Sequence, residues 1–364
     1  MKILQIIYSL ASGGAERFVV DLCNELSLNG NDVYLCALRD DTINNQGFYR
    51  NDIADGINYI NLQLPVGLRL SNITAIHNVI KQVKPDVVHC HQNLVNYVFP
   101  LTLFHKKIKF FYTVHSDAPK EVASRIEYSL RRYFFKNKKI NAISISSETT
   151  KSFIDFYKIS NCFEIVNGRQ MPKKSEEFKE ISTMFCNLRK LNDLLFVHIG
   201  RCATVKNQKM LINTFNRLIN EDHKIVLLII GNGFDNELGK ELKSEANKNI
   251  HFLGEKHYIA DYLLNADAFC LSSLYEGMPI TLIESLACGC VPICTPVGGI
   301  VNTIKNGVTG FISKSVSEED YYQSLKEYIE NCDLVKKEKL IGYYNEKFSM
   351  EKCAKKHIQL YINT

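Results

Sequence analysis

Short apolar runs, each followed by a turn and then by apolar residues at helical spacing, recur along this chain in two series. Residues 3–8, 33–38, 86–91, 110–114 and 142–146 form the first series. Phe18, Val19, Leu22, Cys23 and Leu26 lie at helical spacing between its first two runs. The pattern breaks at Asn167-Gly168, and a polar stretch from Pro172 to Glu177 follows. The rhythm resumes with runs at 194–199, 224–230, 268–271 and 291–294. Strands alternating with helices predict parallel βαβ units. The expectation is two α/β domains, 1–168 and 191–345, joined by a linker over 169–190. Residues 346–364 read as a closing helix with Cys353, Ile358 and Tyr361 on its apolar face. Two such domains are expected to face each other across a cleft, because open α/β sheets take ligands beyond the carboxyl ends of their strands.

Composition narrows the classes. A length of 364 residues suits two domains. A net charge of +5 lacks the excess of a dedicated nucleic-acid binder, so no nucleic-acid partner is expected. The twelve cysteines are scattered without a C-x-x-C pair, which predicts reduced thiols in a cytoplasmic protein rather than a disulfide frame or zinc site. No apolar run approaches the roughly 20 residues of a membrane span, and no targeting segment is visible.

The stretch from Glu276 to Glu284 carries two carboxylates with seven residues between them, with Pro279 placed to open a helix. A helix start offers free N–H groups and the positive end of a dipole to a phosphate or to hydroxyls. Spacing alone fits equally well a helix-start acid followed by a solvated helical Glu.

The segment resembles the E-x7-E signature of the family-4 retaining glycosyltransferases, and the likeness runs on through Ser285-Leu286-Ala287-Cys288-Gly289 and Val297-Gly298-Gly299. Gly13-Gly14-Ala15-Glu16 is similar to that family's Gly-Gly loop after the first strand. Gly200-Arg201 with Lys206-Asn207 is similar to its Gly-Arg…Lys pair. His115 is similar to its strand-end His, and Asn167-Gly168 to its Asn-Gly before the linker. The resemblance implies a GT-B fold of two Rossmann-like domains, the first binding acceptor and the second the nucleotide sugar. It implies retaining transfer from a nucleoside-diphosphate sugar, UDP-linked rather than GDP-linked, with no cofactor and no metal. Arg201 and Lys206 would hold the diphosphate, and Gly13 and Gly14 would admit it to the backbone. Glu276 would contact the transferred sugar and Glu284 the ribose. Gly277, Met278, Ile280 and Thr281 would line the donor, with backbone N–H groups of the last three as donors. His115, Glu276, Arg201 and Lys206 are the implied catalytic set. The chain departs from the pattern after Asn167-Gly168, where Arg169-Gln170 stands in place of an apolar residue and an acid. No Asp-x-Asp triplet, the usual metal signature of the other main glycosyltransferase fold, occurs.

Outside these motifs, residues 101–140 hold ten basic and three acidic residues, a local net of +7, with Arg131, Arg132 and Lys136 interleaved with aromatics. That mix reads either as a solvated helix with a buried aromatic face or as a patch for anionic lipid on the inner face of the cell membrane. The second reading makes a lipid-linked saccharide of surface polysaccharide assembly the natural acceptor. His91, which alternates with His89, is a weaker candidate for the acceptor site. A nucleotide-sugar epimerase and a non-catalytic nucleotide-sugar-binding subunit are the alternative functions. The first lacks an evident acid–base set, and the second leaves the full motif set without a purpose.

Overall fold

The apolar runs become the interior strands of two parallel sheets in the computed structural model, which describes residues 1–190 and 194–364. One unit comprises Met1–Gln170 with Phe348–Thr364, the other Met171–Lys347. The first contains β1 (Lys2–Ile7), α1 (Gly14–Leu28), β2 (Asp32–Ala37), β3 (Asn58–Asn61), α2 (Leu70–Val83) and β4 (Val87–His91). After the single turns α3 (Val95–Val98) and α4 (Leu101–Phe104) come β5 (Lys109–Val114), α5 (Arg125–Lys136), β6 (Asn141–Ser144), α6 (Ser147–Tyr157) and β7 (Cys162–Glu164). The sheet order is β3-β2-β1-β4-β5-β6-β7. β1 pairs in parallel with β2 from Lys2–Asp32 and with β4 from Ile3–Val87, so the winding reverses between β1 and β4.

The second unit runs through α7 (Phe178–Arg189), β8 (Leu194–Ile199), α8 (Gln208–Asn220), β9 (Ile225–Ile230), α9 (Glu237–Glu245), β10 (Ile250–Gly254), α10 (Ile259–Asn265) and β11 (Ala268–Leu271). It continues with α11 (Ile280–Cys288), β12 (Val291–Cys294), α12 (Ile300–Thr303), β13 (Phe311–Ile312), α13 (Glu318–Glu330) and α14 (Lys337–Lys347). Its sheet order, β10-β9-β8-β11-β12-β13, reverses between β8 and β11. All six residues of β9 are buried, as a parallel strand covered by helices on both faces requires. In each sheet the reversal opens a crevice at the carboxyl ends of the two strands flanking it, where such folds take ligands.

The expected linker is partly structured. Phe178–Arg189 is helical because Ile181 and Phe185 bury against the second unit's core, so extended chain spans only its first part. The expected start of the second domain, residue 191, lies outside the described residues. The closing helix α15 (Met350–Asn363) returns to the first unit and packs on α1. Its buried face runs through Met350, Cys353, Ala354, His357 and Tyr361; Ile358, expected there, is only half-buried. Gly168 has a packing reason, since a Cβ there would lie 2.6 Å from Cys353 Cβ and 3.0 Å from Met350 Cα. Arg169, where the chain departs from the family pattern, donates to buried Asp21 of α1 at 2.5 Å. Its N–H also bonds to the Phe348 carbonyl, so this residue fastens the chain as α15 begins.

Candidate functional site

The residues implied to bind the donor follow the carboxyl ends of strands, Gly13, Gly14 and His115 in the first unit and the rest in the second. In the first, β1 leads into Gly13, whose backbone is extended, and α1 starts at Gly14 with no side-chain cap. The open N–H groups of that first turn are the kind of site that accepts anionic oxygens. Glu16 folds back over Gly13: a Cβ there would lie 2.2 Å from Glu16 Oε2, so that side chain would have to move. Glu16 Oε1 in turn accepts from Gln92 Nε2 at 2.6 Å, tying α1 to the end of β4.

His115 follows β5 and is half-buried. Its ring meets Phe18 of α1 edge-on, with centroids 5.9 Å apart, which places His115 beside the same helix start. Burial depresses its pKa to about 4, so the imidazole is neutral at physiological pH. His91 Nδ1 lies 3.1 Å from His115 Nε2. His91 is fully buried, so it supports His115 and does not line an acceptor site as the sequence reading allowed.

In the second unit, Gly200-Arg201 follows β8. Gly231, at φ +152°, lets the turn after β9 touch it: a Cβ at 231 would lie 2.1 Å from the Gly200 carbonyl oxygen. The Arg201 side chain is exposed, and its guanidinium makes no hydrogen bond or ion pair among the described residues. Lys206 is held differently. Its Nζ donates to Glu276 Oε1 at 2.6 Å, and Ser273 Oγ donates to the same oxygen at 2.7 Å. Ser272 Oγ bonds to the Lys206 carbonyl, and Leu274 N–H to that of Val205, so the loops after β8 and β11 are locked together. Ser273 escaped the sequence reading. Its signal is a polar residue two positions past a fully apolar strand at the point of reversal.

Glycine is again what allows the approach around Glu276. Gly298 has φ +52°, and a Cβ there would lie 1.8 Å from the Glu276 carbonyl oxygen. Gly299 N–H then reaches the Gly277 carbonyl at 2.7 Å. Pro279 does not occupy the first helical position as expected. It is the extended residue before α11, which begins at Ile280. Glu284 therefore sits about one turn into the helix. It is buried at 3% exposure, which removes the solvated-Glu alternative. Met278 and Ile280 are buried and Thr281 half-buried. No side chain caps the helix, so the Ile280 and Thr281 N–H groups open the turn beside Glu276.

The basic segment 101–140 is only partly superficial. Arg131 is fully buried, donating to Glu127 Oε1 at 2.7 Å and to Asn96 Oδ1 at 3.1 Å, and cannot meet a lipid surface. Arg132 is spent on the Tyr157 carbonyl at 2.8 Å. Lys136, Lys138 and Lys139 are exposed. On α5, Ile126, Leu130 and Tyr133 stand 75%, 50% and 57% exposed at i, i+4, i+7, one apolar stripe in water. The start of α5 and the exposed Val66 and Leu68 border one cavity of about 380 Å³. Its walls include Tyr8, Arg39, Asn93 and Asn96 at the carboxyl edge of the first sheet. Among the described residues no helix is long and apolar enough to cross a membrane.

Comparison with known proteins agrees with this architecture. Residues 12–168 match the family model described as Glycosyltransferase Family 4, and residues 180–348 that described as Glycosyl transferases group 1. The capsular polysaccharide biosynthesis glycosyltransferase CapH of Staphylococcus aureus is 25% identical over 312 residues, 82% of each chain. The UDP-Gal:alpha-D-GlcNAc-diphosphoundecaprenol alpha-1,3-galactosyltransferase of Escherichia coli is 22% identical over 320 residues, 81% of this chain and 80% of that one. The crystal structure of Anabaena Alr3699/HepE in complex with UDP and glucose covers 100% of both chains with a TM-score of 0.81 at 17% identity, a likeness of fold alone.

Proposed function

We propose that this chain, a GT-B glycosyltransferase whose two halves match the family 4 and group 1 models, moves a sugar from a UDP-sugar to a hydroxyl of a lipid-linked saccharide, with retention. The observation that carries the donor half is the pairing, at one sheet reversal, of an Arg201 guanidinium with no partner among the described residues with a Lys206–Glu276–Ser273 cluster beside an uncapped helix start. As the bond from anomeric carbon to diphosphate breaks, negative charge collects on the leaving oxygens. Arg201 offers them a rigid fork, Lys206 a mobile point charge, and α11 its N–H groups, all in place before charge develops. Gly13, Gly14 and the neutral His115 are assigned to the same donor, His115 at the sugar. Glu276 is assigned to the sugar hydroxyls, and Glu284 to the ribose. Binding at α11 is assigned to Gly277, Met278, Ile280 and Thr281.

A uridine donor is favoured by the relatives: the E. coli enzyme uses UDP-Gal, and the Anabaena structure holds UDP. The acceptor's glycan is assigned to the 380 Å³ cavity of the first unit, whose amide, phenol and guanidinium walls suit hydroxyls. The α5 stripe and the nearby lysines suit the anionic cytoplasmic leaflet that presents such lipids. Retention rests on the family resemblance.

The test is transfer of radiolabelled sugar from UDP-sugars into a lipid-linked saccharide fraction by the full chain and by the Arg201→Ala/Lys206→Ala variant. Loss of a single charge-stabilising group costs about 10²–10³ in rate, so the double variant should fall below detection while its melting temperature holds. Near-normal turnover in the variant would reject the donor site.

A further inference from the structure

Behind His115 lies a continuous buried chain of hydrogen bonds that runs through the C-terminal helix and back to β5. His91 Nδ1 is 3.1 Å from His115 Nε2, and His91 Nε2 is 2.8 Å from Gln5 Oε1. Gln5 Nε2 donates to Tyr361 Oη at 3.3 Å. Tyr361 Oη is 2.6 Å from His89 Nδ1, and His89 Nε2 is 2.7 Å from Thr113 Oγ1. Gln5, His89, His91, Thr113 and Tyr361 are all 0% exposed.

Each neutral imidazole and the amide must donate at one end and accept at the other, so the Gln5 amide sets the direction of the chain. Its Nε2 donates to Tyr361 Oη, which turns Gln5 Oε1 toward His91. Having accepted from Gln5, the Tyr361 hydroxyl can donate to His89 Nδ1 at 2.6 Å. A carbonyl oxygen has no proton to give, so His91 Nε2 carries one. Burial and the neighbouring imidazoles hold His91 neutral, leaving a lone pair on its Nδ1. His115 must then donate through Nε2, and its Nδ1 keeps a lone pair that no described residue uses.

We infer that His91, Gln5 and Tyr361 are positioning residues that fix His115 as the Nε2–H tautomer, so that its Nδ1 accepts a hydrogen bond from a substrate hydroxyl. The role for that acceptor rests on the proposed transfer reaction; the tautomer itself does not. The two terminal parts of the unit are thereby coupled. A residue on α15, with no part in the crevice, decides which nitrogen of His115 carries the proton.

The experiment is two-bond ¹H–¹⁵N correlation on the full chain with ¹⁵N-labelled histidine at neutral pH, alongside transfer kinetics. Wild-type His115 is expected as Nε2–H with an unprotonated Nδ1. Tyr361→Phe removes one hydroxyl with little change of shape and releases the Gln5 amide, so His115 should show averaged tautomer shifts. His91→Phe removes the acceptor and should do the same, while His91→Asn, which keeps an acceptor near the Nδ1 position, should restore the Nε2–H form. kcat should fall about 10–100-fold in His91→Phe, the range for losing a group that orients a functional imidazole, with donor KM little changed and partial recovery in His91→Asn. An Nδ1–H wild-type His115, or shifts unmoved by both Phe variants, overturns the inference. Shifts that move as expected while kcat stays constant leave the tautomer relay standing and reject the role of His115 in transfer.

Discussion

Glu276 and Lys206 share a hydrogen bond, so exchanging the carboxylate for an amide perturbs two donor contacts in opposite directions. The Nζ–Oε1 distance is 2.6 Å, with side chains 20% and 11% exposed, so solvent screens the pair only in part. A hydrogen bond to a charged partner contributes about 1.5–3 kcal/mol against about 0.5–1.5 for a neutral one. Glu276→Gln keeps an acceptor oxygen for Lys206 and Ser273 but gives up roughly 1–1.5 kcal/mol of that attraction. A diphosphate that recruits Lys206 must draw it from Glu276. The substitution should therefore tighten UDP binding about five- to tenfold, at 1.4 kcal/mol per factor of ten. Turnover should move the other way and drop by about 10²-fold, because the sugar loses a contact near the reacting carbon. Glu284→Gln, at a buried carboxylate a turn further into α11, should mainly raise donor KM and weaken UDP. Calorimetry of UDP binding to wild type, both single variants and Glu276→Gln/Lys206→Ala separates these effects, since the gain must vanish without Lys206. If Glu276→Gln loses UDP affinity and Glu284→Gln keeps it, the two roles are reversed. If neither changes binding or rate, the pair has no part in the site.

Three other outcomes are expected. Transfer should survive excess chelator, because Arg201 and Lys206 are proposed to supply the positive charge and the chain has no Asp-x-Asp triplet; strict dependence on Mg²⁺ or Mn²⁺ in the same assay would contradict that. Binding to anionic vesicles should weaken with salt, with charge reversal at Lys136, Lys138 and Lys139, and with Leu130→Ser, whereas equal sedimentation with neutral and anionic vesicles would refute a charged docking face. Arg131→Met should lower the urea midpoint by the equivalent of about 3 kcal/mol, since it strands Glu127 and Glu121 around an apolar side chain, and a surface-lysine-like change near zero would show that Arg131 is not the buried anchor described.

How much of this was legible without coordinates depends on burial. Each interior strand of both sheets was foreshadowed by an apolar run. The four strands without such a signal, β3, β7, β10 and β13, are the four edges. An interior parallel strand is covered on both faces and is mostly apolar, its few polar residues hydrogen-bonded inside. An edge strand such as β7, where Phe163 and Glu164 are exposed, has no such demand and reads as loop. The residues assigned to the donor stand out in the sequence for a related reason. Gly200, Arg201, Lys206, Glu276 and Gly298 sit at strand ends and turns, where close backbone approach and exposed charge restrict residue type at fixed offsets along the chain. Tertiary structure alone decided which polar residues face inward. Arg131 and Arg132 look alike beside Lys136, yet two acceptors from a distant segment, Asn93 and Asn96, join Glu127 one turn back on α5 to hold Arg131 in the core. Gln5, His91 and Tyr361 are up to 356 positions apart in the chain, and no local pattern marks them. They become one network because β1 and β4 are neighbours in the sheet and α15 returns to lie over them. Local sequence therefore set which segments form strands and where the turns carry chemistry. The pairing of buried polar groups, which must find partners wherever the fold brings them, was settled by the packed chain.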